Sequence, residues 1–206
     1  NGEQGTPIDA ALDTKAPFGP DWMGHPFSFR RGLPNYLTSL IVGKFECVET
    51  LLPGTDPSTS TRLKYWMPPG WSGEAATIFG RTPGMMGFFE SFTGQNYPYQ
   101  IYSQTPVWDF SYGGMENTSA TTLNRRVLHT QSVRPNYDGD GLIAHELAHM
   151  WFGDFVTCET WDHMWLNEGF ATYFTDLWFE HQYGTPFFLY RRELERRGYL
   201  ESSSAE

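Results

Sequence analysis

The sequence H-E-L-A-H at residues 145–149 constrains this chain more than any other feature. It places two histidines four residues apart inside a segment that its neighbouring residues predict to be helical. Four residues of helix return the side-chain direction to within about 40°, so His145 and His149 lie on one face. Two imidazoles placed in this way can bind the same small tetrahedral ion, and Glu146 lies beside them.

The predicted helix has recognisable ends. Asp138 or Asp140 can cap its first turn, its body runs from Leu142 to Phe152, and Gly153 is placed to end it. This helix is rich in apolar residues, so a helix that merely exposes two histidines and a glutamate would leave the pattern unexplained. We therefore interpret the two histidines as metal ligands.

A third ligand is expected further along the chain. A catalytic zinc site uses three protein ligands and keeps one position open for water. Glu168 meets this need: eighteen residues separate it from His149, and it lies at the start of a helix predicted from Leu166 to Tyr183. Two antiparallel helices joined by a loop can bring it to the metal. The sequence thus predicts one zinc ion held by His145, His149 and Glu168.

Glu146 has no place among the ligands and is free for proton transfer. We predict that it acts as the general base on a zinc-activated water, which attacks a scissile carbonyl, and that it then passes the proton to the leaving amine. This chemistry needs no serine or cysteine nucleophile, so we interpret Cys158 as structural. Asp154 and Asp162 are candidates for orienting the histidines, although helix or turn capping explains them equally well.

Residues 113–117, with the sequence G-G-M-E-N, supply a candidate for recognition of a chain end. Gly113 and Gly114 permit an extended backbone to pass close to a substrate, and Glu116 offers a carboxylate to a free α-ammonium group. Taken alone this string is weak evidence, because a Gly-Gly pair is more often a turn.

Together these strings resemble the zinc aminopeptidase family that includes aminopeptidase N and the bifunctional leukotriene hydrolase. The family hallmark is G-x-M-E-N followed by H-E-x-x-H, eighteen residues and a Glu. Residues 113–117, residues 145–149 and Glu168 match it in order and spacing, as do the flanking words W-F-G-D at 151–154 and W-L-N-E-G-F-A at 165–171.

The resemblance implies roles for residues of this chain. It implies that zinc is bound by His145, His149 and Glu168, that Glu146 is the base, and that Glu116 binds the substrate amine, with Gly113, Gly114 and Met115 lining the peptide path. It also implies a tyrosine that stabilises the tetrahedral intermediate, which we expect beyond Glu206. A second anchor for the amine is expected upstream of Asn1.

The resemblance also implies an α+β fold. Residues 1–46 would be the end of a β-rich, saddle-like N-terminal domain, and residues 47–206 the first part of a thermolysin-like catalytic domain. From the residues themselves we predict loop or irregular β edge for residues 1–34. Strands are predicted at 36–50, 62–67, 100–110 and 121–127, a hairpin loop at 53–61, a helical region at 72–92 with a break at Pro83 and Gly84, and a last helix from Pro186 to Arg197.

The formal net charge is −10 and the sequence has no run of basic residues. The positive patch typical of proteins that bind nucleic acid or anionic membranes is therefore missing. The apolar runs are too short to cross a bilayer, and we expect any targeting segment to lie upstream of the given chain.

The expected partners are peptides with a free N-terminus. Two alternatives stay open: a non-catalytic zinc-binding module, and hydrolysis of a lipid epoxide by the same side chains.

Overall fold

The computed structural model describes residues 33–54, 60–134 and 136–203, together with four short strands that precede them. Strand β1 (Gly2–Gln4) pairs antiparallel with β4 (Phe27–Phe29), and β2 (Ile8–Asp9) pairs antiparallel with β3 (Met23–Gly24). These pairs agree with the predicted irregular β edge. The other residues of the 1–32 stretch lie outside the described part of the chain.

A five-stranded mixed sheet forms the floor of the main unit. Its strands are β5 (Glu46–Leu52), β6 (Thr61–Met67), β7 (Ile101–Val107), β8 (Gly114–Met115) and β9 (Ala120–Asn124), in the order β5-β6-β7-β9-β8. The three central strands run parallel to one another, and both outer strands run antiparallel to their neighbours. The antiparallel pairing of β5 with β6 confirms a hairpin at 53–61, although residues 55–59 themselves are not described.

The first predicted strand, residues 36–50, is wrong over its first two thirds. Residues 35–37 form a 3₁₀ turn that buries Leu37, and the ladder begins only at Glu46. The intervening residues are mostly exposed, with Leu40 89% accessible. β-branched and aromatic residues favour a strand only where a partner and a half-buried surface are available, and residues 38–45 pair with none of the described strands.

The described residues include five α-helices: α1 (Ala75–Phe79), α2 (Thr82–Thr93), α3 (Asp140–Ala148), α4 (Trp165–Tyr183) and α5 (Thr185–Ser203). The predicted helical region at 72–92 is confirmed, but its break falls at Gly80 and Arg81, before Pro83. Pro83 lies in the first turn of α2, where a missing backbone N–H breaks no helical hydrogen bond.

Helix α3 differs from its prediction at both ends. Its N-cap is Gly139, which has no side chain to cap with, although the Asp138 carboxylate accepts a hydrogen bond from the Asp140 backbone N–H at 3.1 Å. The helix ends at Ala148, because the next residues close tighter turns and Gly153 adopts a φ of +134°. The motif histidines therefore lie at the end of the helix, next to this turn.

The core lies where α2, α3 and α4 meet the sheet. Its members include buried aromatic and aliphatic side chains from the sheet and the helices: Leu63, Met67, Phe79, Met86, Phe89, Ile143, Leu147 and Trp178. Each such side chain contributes roughly 1.5–3 kcal/mol through burial. The Phe179 ring of α4 packs beside Gly141 of α3, at an ordinary contact distance of 3.6 Å from where a Cβ would lie.

A buried carboxylate ties the start of α3 to its surroundings. Asp140 is fully buried and pairs with Arg81 at 2.6 Å and with Arg134 at 3.3 Å. Arg81 also donates to the Tyr183 hydroxyl at the end of α4, at 2.8 Å. Burial and Asp138 raise the pKa of Asp140, while the two guanidinium groups lower it.

The mixture of sheet and helices agrees with the predicted α+β class. The domain boundary at residue 46 and the thermolysin-like architecture stay predictions. Within the described residues, every helix is either too short or too polar to span a lipid bilayer.

We predict that Asp140→Asn lowers the free energy of unfolding by about 2–3 kcal/mol, because it leaves Arg134 partly buried without its counter-charge. Urea unfolding followed by circular dichroism measures this change. Glu193→Gln is the matched control, since Glu193 pairs with exposed arginines of α5, and it should leave the unfolding midpoint unchanged. Equal stability of the two variants would contradict the role given to Asp140.

Candidate metal centre

Three predicted ligands meet between α3 and α4. Glu168 lies in the first turn of α4, and its Oε2 is 3.2 Å from His145 Nε2 and 3.5 Å from His149 Nε2. The two imidazole Nε2 atoms are 3.1 Å apart. The three atoms thus form a nearly equilateral triangle.

The triangle has the dimensions of a zinc site. Zinc bound to nitrogen and oxygen at about 2.0–2.1 Å in a tetrahedron separates its ligand atoms by about 3.3 Å. Two imidazoles and one carboxylate also leave one tetrahedral position for water, as in catalytic sites. The donor set and its spacing therefore fit zinc.

A backbone carbonyl orients His149. The His149 ring places Nδ1 3.0 Å from the Phe152 carbonyl oxygen, which can only accept a hydrogen bond. Nδ1 therefore carries the proton, and in the neutral ring Nε2 keeps its lone pair for a metal. The turn that places this carbonyl depends on Gly153, since a Cβ at that residue would lie 3.1 Å from His149 Nδ1 and its φ of +134° disfavours any side chain.

Asn167 links this turn to Glu168. Its buried side chain accepts a hydrogen bond from the Cys158 backbone N–H at 3.2 Å and lies 3.4 Å from the hydroxyls of Thr157 and Tyr36. The residue before the third ligand is thus fixed to the loop that follows α3. The two halves of the ligand set are held together through this amide.

The Glu146 carboxylate is buried beside the ligands. Its pKa is raised to about 8: burial is the main cause, the carboxylates of Glu116 and Glu168 also raise it, and His149 partly offsets them. Gly114 makes room for this side chain, because a Cβ there would overlap Glu146 Oε1. The glycine predicted to admit a substrate therefore also admits the predicted base.

Glu116 is buried and lies near the same cluster. One carboxylate oxygen of Glu116, one of Glu146 and a ring nitrogen of His149 all lie within 4.8 Å of one another. The neighbouring Asn117 holds the loop in place: it accepts a hydrogen bond from Thr122 Oγ1 at 2.7 Å and donates to the Leu37 carbonyl at 3.3 Å. Two carboxylates buried so close together favour a cation between them.

The site as a whole attracts positive charge. Burial lowers the pKa of His149, but its hydrogen bond with Glu168 and the charges of Glu116 and Glu146 outweigh this and raise that pKa to about 9. Hydrogen bonds with His145 and His149 hold the pKa of Glu168 well below its usual range. The acidic groups therefore favour a positive charge at this place.

A cleft of about 550 Å³ opens over these residues. One wall is residues 112–116, which include the edge strand β8, and the facing wall comes from α3 and α4. Among the described strands β8 pairs with β9 alone, so its other edge presents backbone groups that an extended peptide can pair with. Met115 lines the cleft together with Gly113 and Gly114.

All predicted site residues therefore gather at one cleft, while their chemical roles stay predictions. The sequence does not reveal the Phe152 carbonyl, because a backbone oxygen has no signature there. It offers Asp154 as an orienting partner for the histidines, but the buried Asp154 carboxylate makes no hydrogen bond with either ring, and Phe152 takes that position for His149. Asp162 is exposed.

Comparisons with known proteins identify the relatives of this chain. The family described as "Peptidase family M1 domain" matches residues 78–200. The chain is 36% identical over 145 residues to aminopeptidase N of Streptomyces lividans, which covers 68% of this chain and 17% of that protein. It is 31% identical over 166 residues to human aminopeptidase N, covering 78% and 17%. It is 32% identical over 144 residues to probable aminopeptidase 2 of Sulfurisphaera tokodaii, covering 68% and 18%. The chain thus spans less than a fifth of the length of these relatives.

We predict that Gly153→Ala weakens zinc binding about tenfold or more, because the new methyl group displaces the His149 ring or the turn that orients it. Competition with a chromophoric chelator measures the affinity. Gly87→Ala is the matched control, since Gly87 lies in α2 with open space around its Cα, and it should bind zinc like the parent. Unchanged affinity in Gly153→Ala would remove the orienting role from this turn.

Proposed function

Because the chain belongs to peptidase family M1, we propose that it contributes the zinc site and the general base of an aminopeptidase that hydrolyses the N-terminal bond of peptides. The observation that carries this proposal is the buried carboxylate of Glu116 beside the His145, His149 and Glu168 triangle. A zinc site alone has no use for that carboxylate, whereas a site for a free α-ammonium group does.

Different residues along the cleft bind the substrate, hold the metal and transfer the proton. Glu116 binds the amine of the first residue, and the edge of β8 holds the peptide backbone in an extended conformation. When bound to His145, His149 and Glu168, zinc supplies Lewis-acid polarisation of the scissile carbonyl and lowers the pKa of water to about 7. Glu146 takes the proton of the attacking water and delivers it to the leaving amine.

The raised pKa of Glu146 suits this double task. A carboxyl group with a pKa near neutrality can accept a proton in one step and release it in the next, whereas an exposed glutamate holds a proton poorly. A bound dication lowers this pKa from the value of about 8 that it has without a metal. The buried carboxylate beside the ligands supports catalysis over a non-catalytic zinc-binding module, which has no use for a base there.

We predict that Glu146→Gln lowers kcat for leucyl and alanyl reporter amides by about 10²–10⁴, because the amide side chain cannot accept the proton. The zinc content should stay near one ion per chain, as measured by atomic absorption. Removal of zinc by a chelator should abolish cleavage, and restored zinc should recover it. Glu159→Gln is the matched control at an exposed glutamate.

Failure of the intact, folded and zinc-loaded protein to cleave any aminoacyl amide would reject the aminopeptidase and favour the binding module. Cleavage that survives in Glu146→Gln would reject the assigned base alone. Turnover of an epoxide without turnover of amides would favour the epoxide hydrolase.

Glu116 supports a separate prediction about the free amine. Glu116→Gln should raise KM for aminoacyl amides about tenfold or more, because it removes the charge that pairs with the ammonium group. N-acetylated substrates, which lack that charge, should be poor for both proteins, so the advantage of the free over the acetylated substrate should shrink in the variant. An unchanged advantage would place amine recognition on another residue.

A further inference from the structure

The cleft contains a positive charge that the proposed mechanism does not use. Arg191, from α5, lines the same cleft as the metal ligands and is the one arginine or lysine among its described lining residues. Its side chain is 28% exposed, so the guanidinium remains accessible. The acidic cluster at the metal therefore faces a cationic group elsewhere in one continuous cleft.

Two contacts with α4 fix the side chain of Arg191. Its Nε donates to Oδ1 of the buried Asp176 at 2.6 Å, and its guanidinium carbon lies 4.4 Å from the centroid of the Phe179 ring. The Nε bond is its one hydrogen bond to the residues that the structure describes. An arginine has five N–H donors, so those on its Nη atoms remain for a ligand. A guanidinium fixed by stacking and by an ion pair loses little entropy when it binds an anion.

The position of Arg191 along the cleft follows from the packing of α3 against the edge strand. Glu116 lies near His149, Gly114 contacts Glu146, and a Cβ at Gly113 would lie 3.3 Å from Leu142. The edge strand and α3 therefore run side by side: Glu116 lies at the end of α3, and Gly113 lies near its start. A peptide that pairs antiparallel with this strand runs from Glu116 towards Gly113, away from its own amine.

Helix α4, which runs antiparallel to α3, allows an estimate of the distance along the cleft from the metal ligands to Arg191. Asp176, which holds Arg191, lies eight residues after Glu168 on α4, which is about 12 Å at 1.5 Å per residue. An extended peptide advances about 3.3–3.6 Å per residue. Arg191 is thus reached about three residues beyond the bond that lies at the metal.

We propose that Arg191 binds a carboxylate of the substrate about three residues after the cleaved bond, an inference that rests on the proposed aminopeptidase function. The carboxylate is either the C-terminus of a short peptide or an acidic side chain at that position. Glu116 and Arg191 then read opposite charges at the two ends of one bound segment. The preferred substrates are short or acidic peptides with this spacing.

Two pairs of peptides test the proposal on the intact, zinc-loaded protein. The first compares Leu-Ala-Ala-Ala with its C-terminal amide, and the second compares the amides of Leu-Ala-Ala-Glu and Leu-Ala-Ala-Gln. The measured quantity is kcat/KM for release of leucine. We expect the carboxylate member of each pair to be favoured about tenfold, near the lower end for a charge-assisted hydrogen bond. The first pair reports on a chain end and the second on an acidic side chain.

Arg191→Gln should bring both ratios close to one. Arg192→Gln is the matched control, because Arg192 also pairs with Asp176, at 3.3 Å, but does not line the cleft. It should keep the ratios of the parent. If Arg191→Gln does not fold, the double variant Asp176→Asn with Arg191→Gln removes the buried charge together with its partner and should give the same ratios near one.

The outcomes separate this inference from the function on which it rests. Cleavage of all four peptides with both ratios near one in the parent would overturn the role of Arg191 and leave the aminopeptidase intact. That role would equally be overturned if the ratios of the parent persist in a folded Arg191 variant. Cleavage of none of the peptides, nor of leucyl reporter amides, would overturn both.

Discussion

The antiparallel contact between α3 and α4 is the interaction on which the rest of the structure depends. Neither helix would form the proposed metal site alone, because His145 and His149 are two of the predicted ligands and Glu168 is the third. The core side chains between the helices, among them Leu147 of α3 and Phe174 of α4, set their distance. The 3.1–3.5 Å triangle of ligand atoms is a consequence of this packing. Any change that separates the helices by about one ångström would open the triangle before it unfolded the chain.

The buried carboxylates around this contact fall into two groups, those paired with an arginine and those that are not. The buried carboxylates of Glu116 and Glu146 are costly unless a cation lies near them, and the proposed function would supply two: a metal ion and a substrate amine. Asp140 and Asp176, also fully buried, are instead neutralised by arginines from neighbouring elements. The chain thus distinguishes carboxylates that hold the fold together from those that remain available to a ligand, and the difference lies in whether an arginine reaches them.

Much of the site could be predicted from the sequence, because helical spacing alone places His145, Glu146 and His149, and a loop of fixed length returns Glu168 to them. Helix α4 agrees closely with its prediction, since long periodic segments carry strong signals, whereas α5 begins near the predicted Pro186 but continues six residues past Arg197 to Ser203. Residues 36–45 do not agree with their prediction, because whether a β-prone segment pairs depends on partners far away in the chain. The Phe152 carbonyl and the contact of Gly114 with Glu146 depend on tertiary geometry that leaves no mark beyond a glycine.

The two-residue length of β8 also limits what can enter the cleft. An edge this short offers pairing to only a few peptide units. In the proposed function, a terminus folded into a helix, or held in a sheet of its own protein, would have its backbone groups engaged and could not pair with this edge. The cleft would then select chain ends that are unstructured.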